Sequence, residues 1–176
     1  MAEKECDYCK LAESSLKMYE DDHFVVVLHP RPAFQGHTII IPKKHYNIFE
    51  QLSDMEAGLI FSLANKVSSA LFESLNIQGT NILVQNGPAA GQDQSHVSLH
   101  IVPRNQDDNL GLTWQPRQLD EEQMSTVELT LKDEISKSVF ADESEKKPEI
   151  HPSEHKPKHM KHDEENYLIK SLTRIP

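Results

Sequence analysis

The segment 95–103, SHVSLHIVP, alternates polar and apolar side chains with the two-residue period of a β-strand. One face of such a strand carries the apolar side chains and packs on a core. The other face presents two imidazoles and a hydroxyl about 6–7 Å apart, and these belong to His96, Ser98 and His100. Such a row either is exposed on a half-buried strand or lines a site that handles phosphate or metal.

The rest of the chain predicts a small antiparallel sheet around one long helix. Further strands are predicted at 20–28, 37–42 and 80–85. A helix is predicted over 54–75, because Ser53 and Glu56 form a capping box and apolar residues then recur every three or four positions. A second helix is predicted over 120–139. Strands grouped around one helix, without regular βαβ alternation, indicate an α+β fold.

The composition changes near residue 140. The segment 141–166 is almost entirely charged, Pro, Ser or His, which predicts a flexible, solvated linker. Residues 167–176 become apolar again, and we expect this tail to dock on the domain. The predicted organisation is therefore a domain at 1–140, with its core at 5–105, followed by the His-rich linker and the tail.

Charge and hydropathy argue against several classes of partner. The chain has 28 acidic and 18 basic residues, a formal net charge of −10, so we expect no nucleic-acid binding, including that of an RNA-binding zinc knuckle. No apolar stretch approaches the roughly 20 residues that span a bilayer. Residues 1–10 lack an apolar signal core, so we expect a cytoplasmic protein. In that compartment the CxxC of Cys6 and Cys9 favours a metal or redox role over a structural disulfide.

Three segments together resemble one family. Residues 85–104, QNGPAAGQDQSHVSLHIVPR, resemble the signature of the histidine triad (HIT) family, in which a glycine-glutamine loop leads into His-x-His-x-His. Residues 29–46, HPRPAFQGHTIIIPKKHY, resemble its nucleoside-binding strand-loop-strand, and CDYC at 6–9 resembles the CxxC of its zinc-containing members. The resemblance implies a HIT-like antiparallel sheet packed against one long helix and a homodimer. It also implies a hydrolase or transferase acting at the α-phosphate of nucleoside phosphoramidates or dinucleoside polyphosphates.

The resemblance places His96 and His100 at the first and third triad positions and Ser98 at the middle one. In the family the middle histidine forms a covalent nucleotidyl intermediate. A serine hydroxyl needs a base to activate it, and its phosphoester would not readily break down. We expect both histidines to lie beyond hydrogen-bond reach of Ser98, so that the chain binds nucleotide and turns it over poorly. Ser98 is then either an engineered inactivating change or the mark of a naturally non-catalytic protein that senses nucleotides or binds a partner.

The resemblance also implies two sets of ligand-binding residues. The nucleotide, with adenine as the expected base, would contact His29, Gln85, Asn86, Gly91 and Gln92. Taken singly, Gln85, Asn86 and Gln92 would be ordinary polar turn residues. His29 stands where the family carries the Asp or Asn that binds the ribose hydroxyls. A structural zinc ion would be bound by Cys6, Cys9, His45 and His96, because two thiolates and two imidazoles form a closed tetrahedral site.

Overall fold

The structure, a computed structural model, describes residues 6–141. The predicted tail and all of the predicted linker except Ala141 lie outside these residues. The chain divides into two units, Met1–Leu110 and Gly111–Pro176. Among the described residues, no helix is both long enough and apolar enough to cross a membrane.

The first unit contains a five-stranded antiparallel sheet. Its strands are β1 (Lys17–Glu20), β2 (Phe24–Leu28), β3 (Thr38–Pro42), β4 (Gly79–Val84) and β5 (Leu99–Arg104). They lie in the order β1-β2-β3-β5-β4, and every neighbouring pair is antiparallel. The predicted α+β fold with an antiparallel sheet is confirmed.

Two helices of the first unit pack on the sheet, and the second unit contributes a third. They are α1 (Asp7–Ala12), α2 (Asp54–Leu75) and α3 (Glu121–Ala141). The predicted capping box begins α2, since Ser53 Oγ accepts from the N–H of Glu56 and Glu56 Oε2 accepts from the N–H of Ser53. The helix ends at Asn76, which adopts the left-handed conformation with φ 48°.

The sheet has a core on each face. The face toward α2 is covered by the larger cluster, which includes Val97, Leu99 and Ile101. The face toward α1 carries a smaller cluster, formed by Tyr8, Val25, Val27, Ile39 and Ile41. The predicted alternation of the segment around β5 therefore holds, and its polar side chains are on the α1 face.

Two strand predictions need correction. The strand predicted at 20–28 is interrupted, because Asp21 Oδ1 accepts from the N–H groups of His23 and Phe24 and forms a turn there. The strand predicted at 95–103 begins only at Leu99. Before it, the N–H of Val97 donates to the carbonyl of Tyr46, beyond the end of β3, instead of entering the strand ladder.

The sequence patterns did not predict α1 or the separate strand β1. Both are short, at six and four residues, so neither shows enough periods of its pattern to be recognised. The helix α1 matters most for the site, because it carries one cysteine and Tyr8 and is preceded directly by Cys6 at its N-cap.

Candidate functional site

Ser98 and His100 lie within hydrogen-bond reach of each other at the start of β5. Ser98 Oγ is 3.1 Å from His100 Nε2, and His100 Nδ1 is 3.0 Å from His37 Nε2. His37 directly precedes β3, whose antiparallel pairing with β5 brings the two histidines together. The expectation that no histidine reaches Ser98 is therefore wrong. Side chains lean along the strand direction, and here the His100 ring reaches its neighbour.

The hydrogen bonds determine which nitrogen of each imidazole carries the proton. The backbone N–H of Ala33 donates to His37 Nδ1 at 3.1 Å, so neutral His37 carries its proton on Nε2 and donates it to His100 Nδ1. His100 then carries its own proton on Nε2 and donates it to Ser98. Burial lowers the pKa of both histidines to about 4, which keeps them neutral at pH 7. Toward Ser98, His100 is a donor and not a base.

Tyr8 approaches Ser98 from α1. Its hydroxyl donates to Asp93 Oδ1 at 3.1 Å. Burial is the largest cause that raises the pKa of Tyr8 to about 12, while the nearby Ser98 side chain acts in the opposite direction. Hydrogen bonds thus link His37, His100 and Ser98, and the hydrogen-bonded pair of Tyr8 and Asp93 lies beside Ser98.

His29 stands beside this chain of hydrogen bonds. Its ring stacks on that of His37, with the centroids 4.5 Å apart and the planes at 4°, and the His29 and His100 ring centroids are 5.8 Å apart. His29 Nδ1 accepts from the N–H of Arg31. A cavity of about 350 Å³ opens here, and its lining includes Tyr8, Lys10, His29, Arg31 and Asp93. The site therefore joins buried imidazoles and hydroxyls to a cavity with charged walls.

The glycine loop before β5 is closed on itself. Gly87 and Gly91 have φ values of 88° and 89°, which side chains rarely adopt. The N–H of Gly87 donates to Gln92 Oε1 at 2.7 Å, and the N–H groups of Ala90, Gly91 and Gln92 donate to carbonyls within the loop. These N–H groups hold the loop together instead of pointing at a ligand.

The other predicted loop residues also have internal partners. Gln92 Nε2 donates to the carbonyls of Asn47 and Gln94. The Asn86 amide accepts from the N–H of Phe49 and donates to Glu50. Gln85 is exposed. The structure thus gives Asn86 and Gln92 roles in fixing the loop, and nucleotide contact by Gln85, Asn86, Gly91 and Gln92 stays a prediction.

A second cluster lies where α1 meets the segment before β5. Four residues here could hold a metal ion: Cys6, Cys9, His45 and His96. Each offers one ligand atom, and these four atoms all lie within 4.8 Å of one another. The Sγ atoms of both cysteines are 3.4 Å from His96 Nδ1, and Cys9 Sγ is 3.5 Å from His45 Nδ1. Tetrahedral zinc with ordinary bond lengths would separate sulfur from nitrogen by about 3.6 Å, so the donor set fits this ion.

His96 is oriented for a ligand role. Its Nε2 lies 3.0 Å from the carbonyl oxygen of Pro42, to which the N–H donates, leaving Nδ1 toward the cysteines. Such a second hydrogen bond is typical of metal-binding histidines. Burial, with the neighbouring His45, lowers the pKa of His96 to about 4. Both ring nitrogens of His96 thus have partners away from Ser98.

Apart from the glycine-loop residues, the structure brings the predicted site residues together in two groups. Ser98, His100 and His29 lie together, and the four predicted zinc ligands lie together. The sequence patterns missed His37, Tyr8 and Asp93. Pairing of the predicted strands could have placed His37 opposite the His100 strand, whereas no local pattern pointed to Tyr8 or Asp93.

Comparison with known proteins decides the family. Residues 11–107 match the family model described as "HIT domain".

The chain belongs to the HIT domain family.

Relatives of this HIT protein carry informative names. It is 35% identical over 111 residues to Adenylylsulfatase HINT3 of Arabidopsis thaliana, covering 61% of this chain and 56% of that protein. A histidine triad nucleotide-binding protein of Candida albicans has a similar structure, with a TM-score of 0.67, 27% identity, and coverage of 76% of this chain and 99% of that one. A Zn-bound histidine triad family protein of Mycobacterium smegmatis has a TM-score of 0.59 and 29% identity, with 66% and 86% covered.

Proposed function

We propose that this HIT protein binds a nucleotide or nucleotide conjugate, with adenine as the base, in the cavity lined by Tyr8, His29 and Asp93, with the phosphate directed toward Ser98 and His100. Three observations support this proposal: the membership of the HIT family, the names of the Arabidopsis and Candida relatives, and the geometry of the site. The α-phosphate would lie at Ser98, where the His100 Nε2–H would donate to a phosphate oxygen. His29 would line the sugar side of the cavity.

For a HIT protein with all three histidines, the proposed reaction is hydrolysis or transfer at the α-phosphate. A middle histidine would attack phosphorus, the bond to the leaving amine or phosphate would break, the leaving group would take a proton, and water would then release the nucleotide. In this chain Ser98 holds the middle position. We infer that turnover is crippled, and the observation that carries this inference is the 3.1 Å bond in which His100 donates to Ser98. A group that already donates its proton is not the base that Ser98 needs.

A naturally non-catalytic nucleotide sensor is the second candidate. It is supported by the way in which Ser98 fits its surroundings, with a hydrogen bond to His100 and the Tyr8 side chain nearby. If Ser98 were an inactivating substitution in an enzyme, there would be no reason for Tyr8 to lie beside the serine hydroxyl. On either account the pocket binds nucleotide, and the two differ in whether the rest of the catalytic machinery is present.

The Ser98→His variant tests the proposal on adenosine 5′-phosphoramidate. If the chain is a crippled enzyme, this variant should hydrolyse the P–N bond at least about 100-fold faster than the unchanged chain, because removal of a catalytic nucleophile costs an enzyme more than this in kcat. The Ser98→Ala variant is the matched control and should stay as slow as the unchanged chain. Nucleotide binding without turnover in Ser98→His would favour the sensor, and absence of both would contradict the proposal.

We also propose that zinc is the metal bound by Cys6, Cys9, His45 and His96. The donor chemistry and spacings fit it, and the Mycobacterium smegmatis relative is described as Zn-bound. Zinc bound there would supply a closed, four-coordinate tether. These residues would hold α1 against the segment before β5.

Further properties are inferred from the resemblance and the composition alone. They are a homodimer, a cytoplasmic location, a domain at 1–140, a flexible linker at 141–166 and a docked tail at 167–176. Each stays a prediction.

A further inference from the structure

We propose that Tyr8 is a phosphate-binding residue of this pocket and donates its hydroxyl proton to the nucleotide's α-phosphate. The inference rests on the proposed nucleotide binding and identifies a contact that the sequence patterns did not suggest. Tyr8 lies between the two cysteines of CDYC, so the same helix would serve the metal site and the phosphate.

The ring and the hydroxyl of Tyr8 have different surroundings. Tyr8 is 6% exposed, and its ring packs in the core between α1 and the sheet, in one cluster with Val25 and Ile39. That packing needs only an apolar ring, which Phe would supply. The hydroxyl instead donates to Asp93 and lies near Ser98, and both Tyr8 and Asp93 line the cavity. The polar atom of Tyr8 is therefore a feature of the site and not of the core.

A bound phosphate needs donors, and the glycine loop gives few. The N–H groups of Gly87, Ala90, Gly91 and Gln92 are engaged within the loop. Beside Ser98, the described residues place two further side-chain donors, His100 Nε2–H and the Tyr8 hydroxyl. A phenolic hydrogen can rotate about its C–O bond. Tyr8 can therefore change its acceptor from Asp93 to a phosphate oxygen without any movement of the backbone.

The charged residues around Tyr8 should affect the binding of a phosphate more than that of an uncharged nucleoside. The carboxylate of Asp93, 3.1 Å from the Tyr8 hydroxyl, would repel a phosphate at the same place. Lys10 and Arg31 line the same cavity and would attract it. An uncharged ligand such as adenosine would respond to none of these charges. The affinity for the phosphate can therefore be measured separately from that for the nucleoside.

The test compares AMP and adenosine binding by calorimetry to the full chain loaded with zinc. Tyr8→Phe should weaken AMP binding roughly tenfold, as loss of one hydrogen bond to a charged group implies, and leave adenosine binding within twofold. The matched control is Tyr19→Phe, because the exposed Tyr19 hydroxyl contacts only the turn residue Asp21 at 3.5 Å. That control should alter neither affinity.

A second variant tests phosphate binding beside Tyr8 if Tyr8→Phe folds poorly or loses zinc. Asp93→Asn retains an acceptor for Tyr8 but removes the negative charge, so AMP binding should strengthen severalfold with adenosine unchanged. Equal weakening of AMP and adenosine by Tyr8→Phe would reveal a structural role and overturn the inference, as would an unaltered AMP affinity in either variant. If the unchanged chain binds neither ligand, the proposed function itself fails and the inference fails with it.

Discussion

His100 Nε2 lies 3.1 Å from Ser98 Oγ, and His100 donates the hydrogen of that bond. The direction follows from the backbone N–H of Ala33, which can only donate and so leaves His37 Nδ1 unprotonated. The backbone N–H of Ala33 thus sets the direction of the hydrogen bonds from His37 through His100 to Ser98. A serine at position 98 receives a proton from its neighbour instead of losing one to it.

NMR of the imidazole nitrogens can test this direction of the hydrogen bonds. At pH 7 we expect both His37 and His100 to be neutral with the proton on Nε2. Long-range ¹H–¹⁵N spectra distinguish the two tautomers directly. A protonated Nδ1 on His100 would contradict the proposed direction and would make His100 a candidate base for Ser98.

The buried histidines should make stability depend on pH. The folded pKa of His37 and of His100 is about 4, whereas an unfolded histidine titrates near 6.5. Between these values the unfolded chain binds more protons, so the free energy of unfolding falls as the pH falls from about 6.5 to 4. At roughly 1.4 kcal/mol per pKa unit, the loss should be on the order of 3 kcal/mol for each of the two histidines.

Urea unfolding of the zinc-loaded protein across this range measures that dependence. His100→Gln is the comparison variant, because it removes one of the histidines whose pKa is lowered in the folded chain. Its unfolding free energy should change less with pH than that of the unchanged chain. An identical pH dependence in the two proteins would exclude His100 as a source of it.

The capping box at the start of α2 should contribute to stability. Ser53→Ala removes an acceptor for the Glu56 N–H and a donor to Glu56 Oε2, and it should lower the unfolding free energy by about 1 kcal/mol. Ser69→Ala is the control, since the exposed Ser69 hydroxyl donates only to the carbonyl of Asn65 within the same helix. Chemical denaturation of both variants should show a clear loss for Ser53→Ala alone.

Removal of the metal should weaken phosphate binding through α1. Chelation would free Cys6 and Cys9, which flank Tyr8, and so loosen the placement of the Tyr8 hydroxyl. We expect AMP affinity to fall severalfold in the chelated protein, with elemental analysis showing that about one zinc ion per chain was lost. In Tyr8→Phe, chelation should change AMP affinity much less. An equal effect of chelation in both proteins would show that the coupling does not pass through Tyr8.

Much of the fold follows from local patterns. Period-two alternation and the Ser53–Glu56 capping box predicted the sheet type and the limits of α2, because each pattern repeats over several residues. The alternation around Ser98 also predicted the core-facing and site-facing sides. It did not predict where β5 begins, since the hydrogen bond from the Val97 N–H to Tyr46 joins residues far apart in sequence.

The site was only partly predictable for the same reason. The four possible metal ligands were recognised from a family resemblance, and the structure brings them within 4.8 Å of one another. Tyr8 and Asp93 are 85 residues apart, and only the packing of α1 on the sheet makes them neighbours. The distance between Ser98 and His100 was wrongly predicted from strand geometry, because backbone spacing does not give the reach of an imidazole side chain.

An experimental structure of the chain with AMP at saturating concentration would show directly whether the nucleotide binds at Ser98. We expect the phosphate within hydrogen-bond distance of Ser98 Oγ, His100 Nε2 and the Tyr8 hydroxyl, and the ribose toward His29. An AMP molecule bound elsewhere, or an empty cavity at concentrations that saturate other nucleotide-binding HIT proteins, would contradict this expectation.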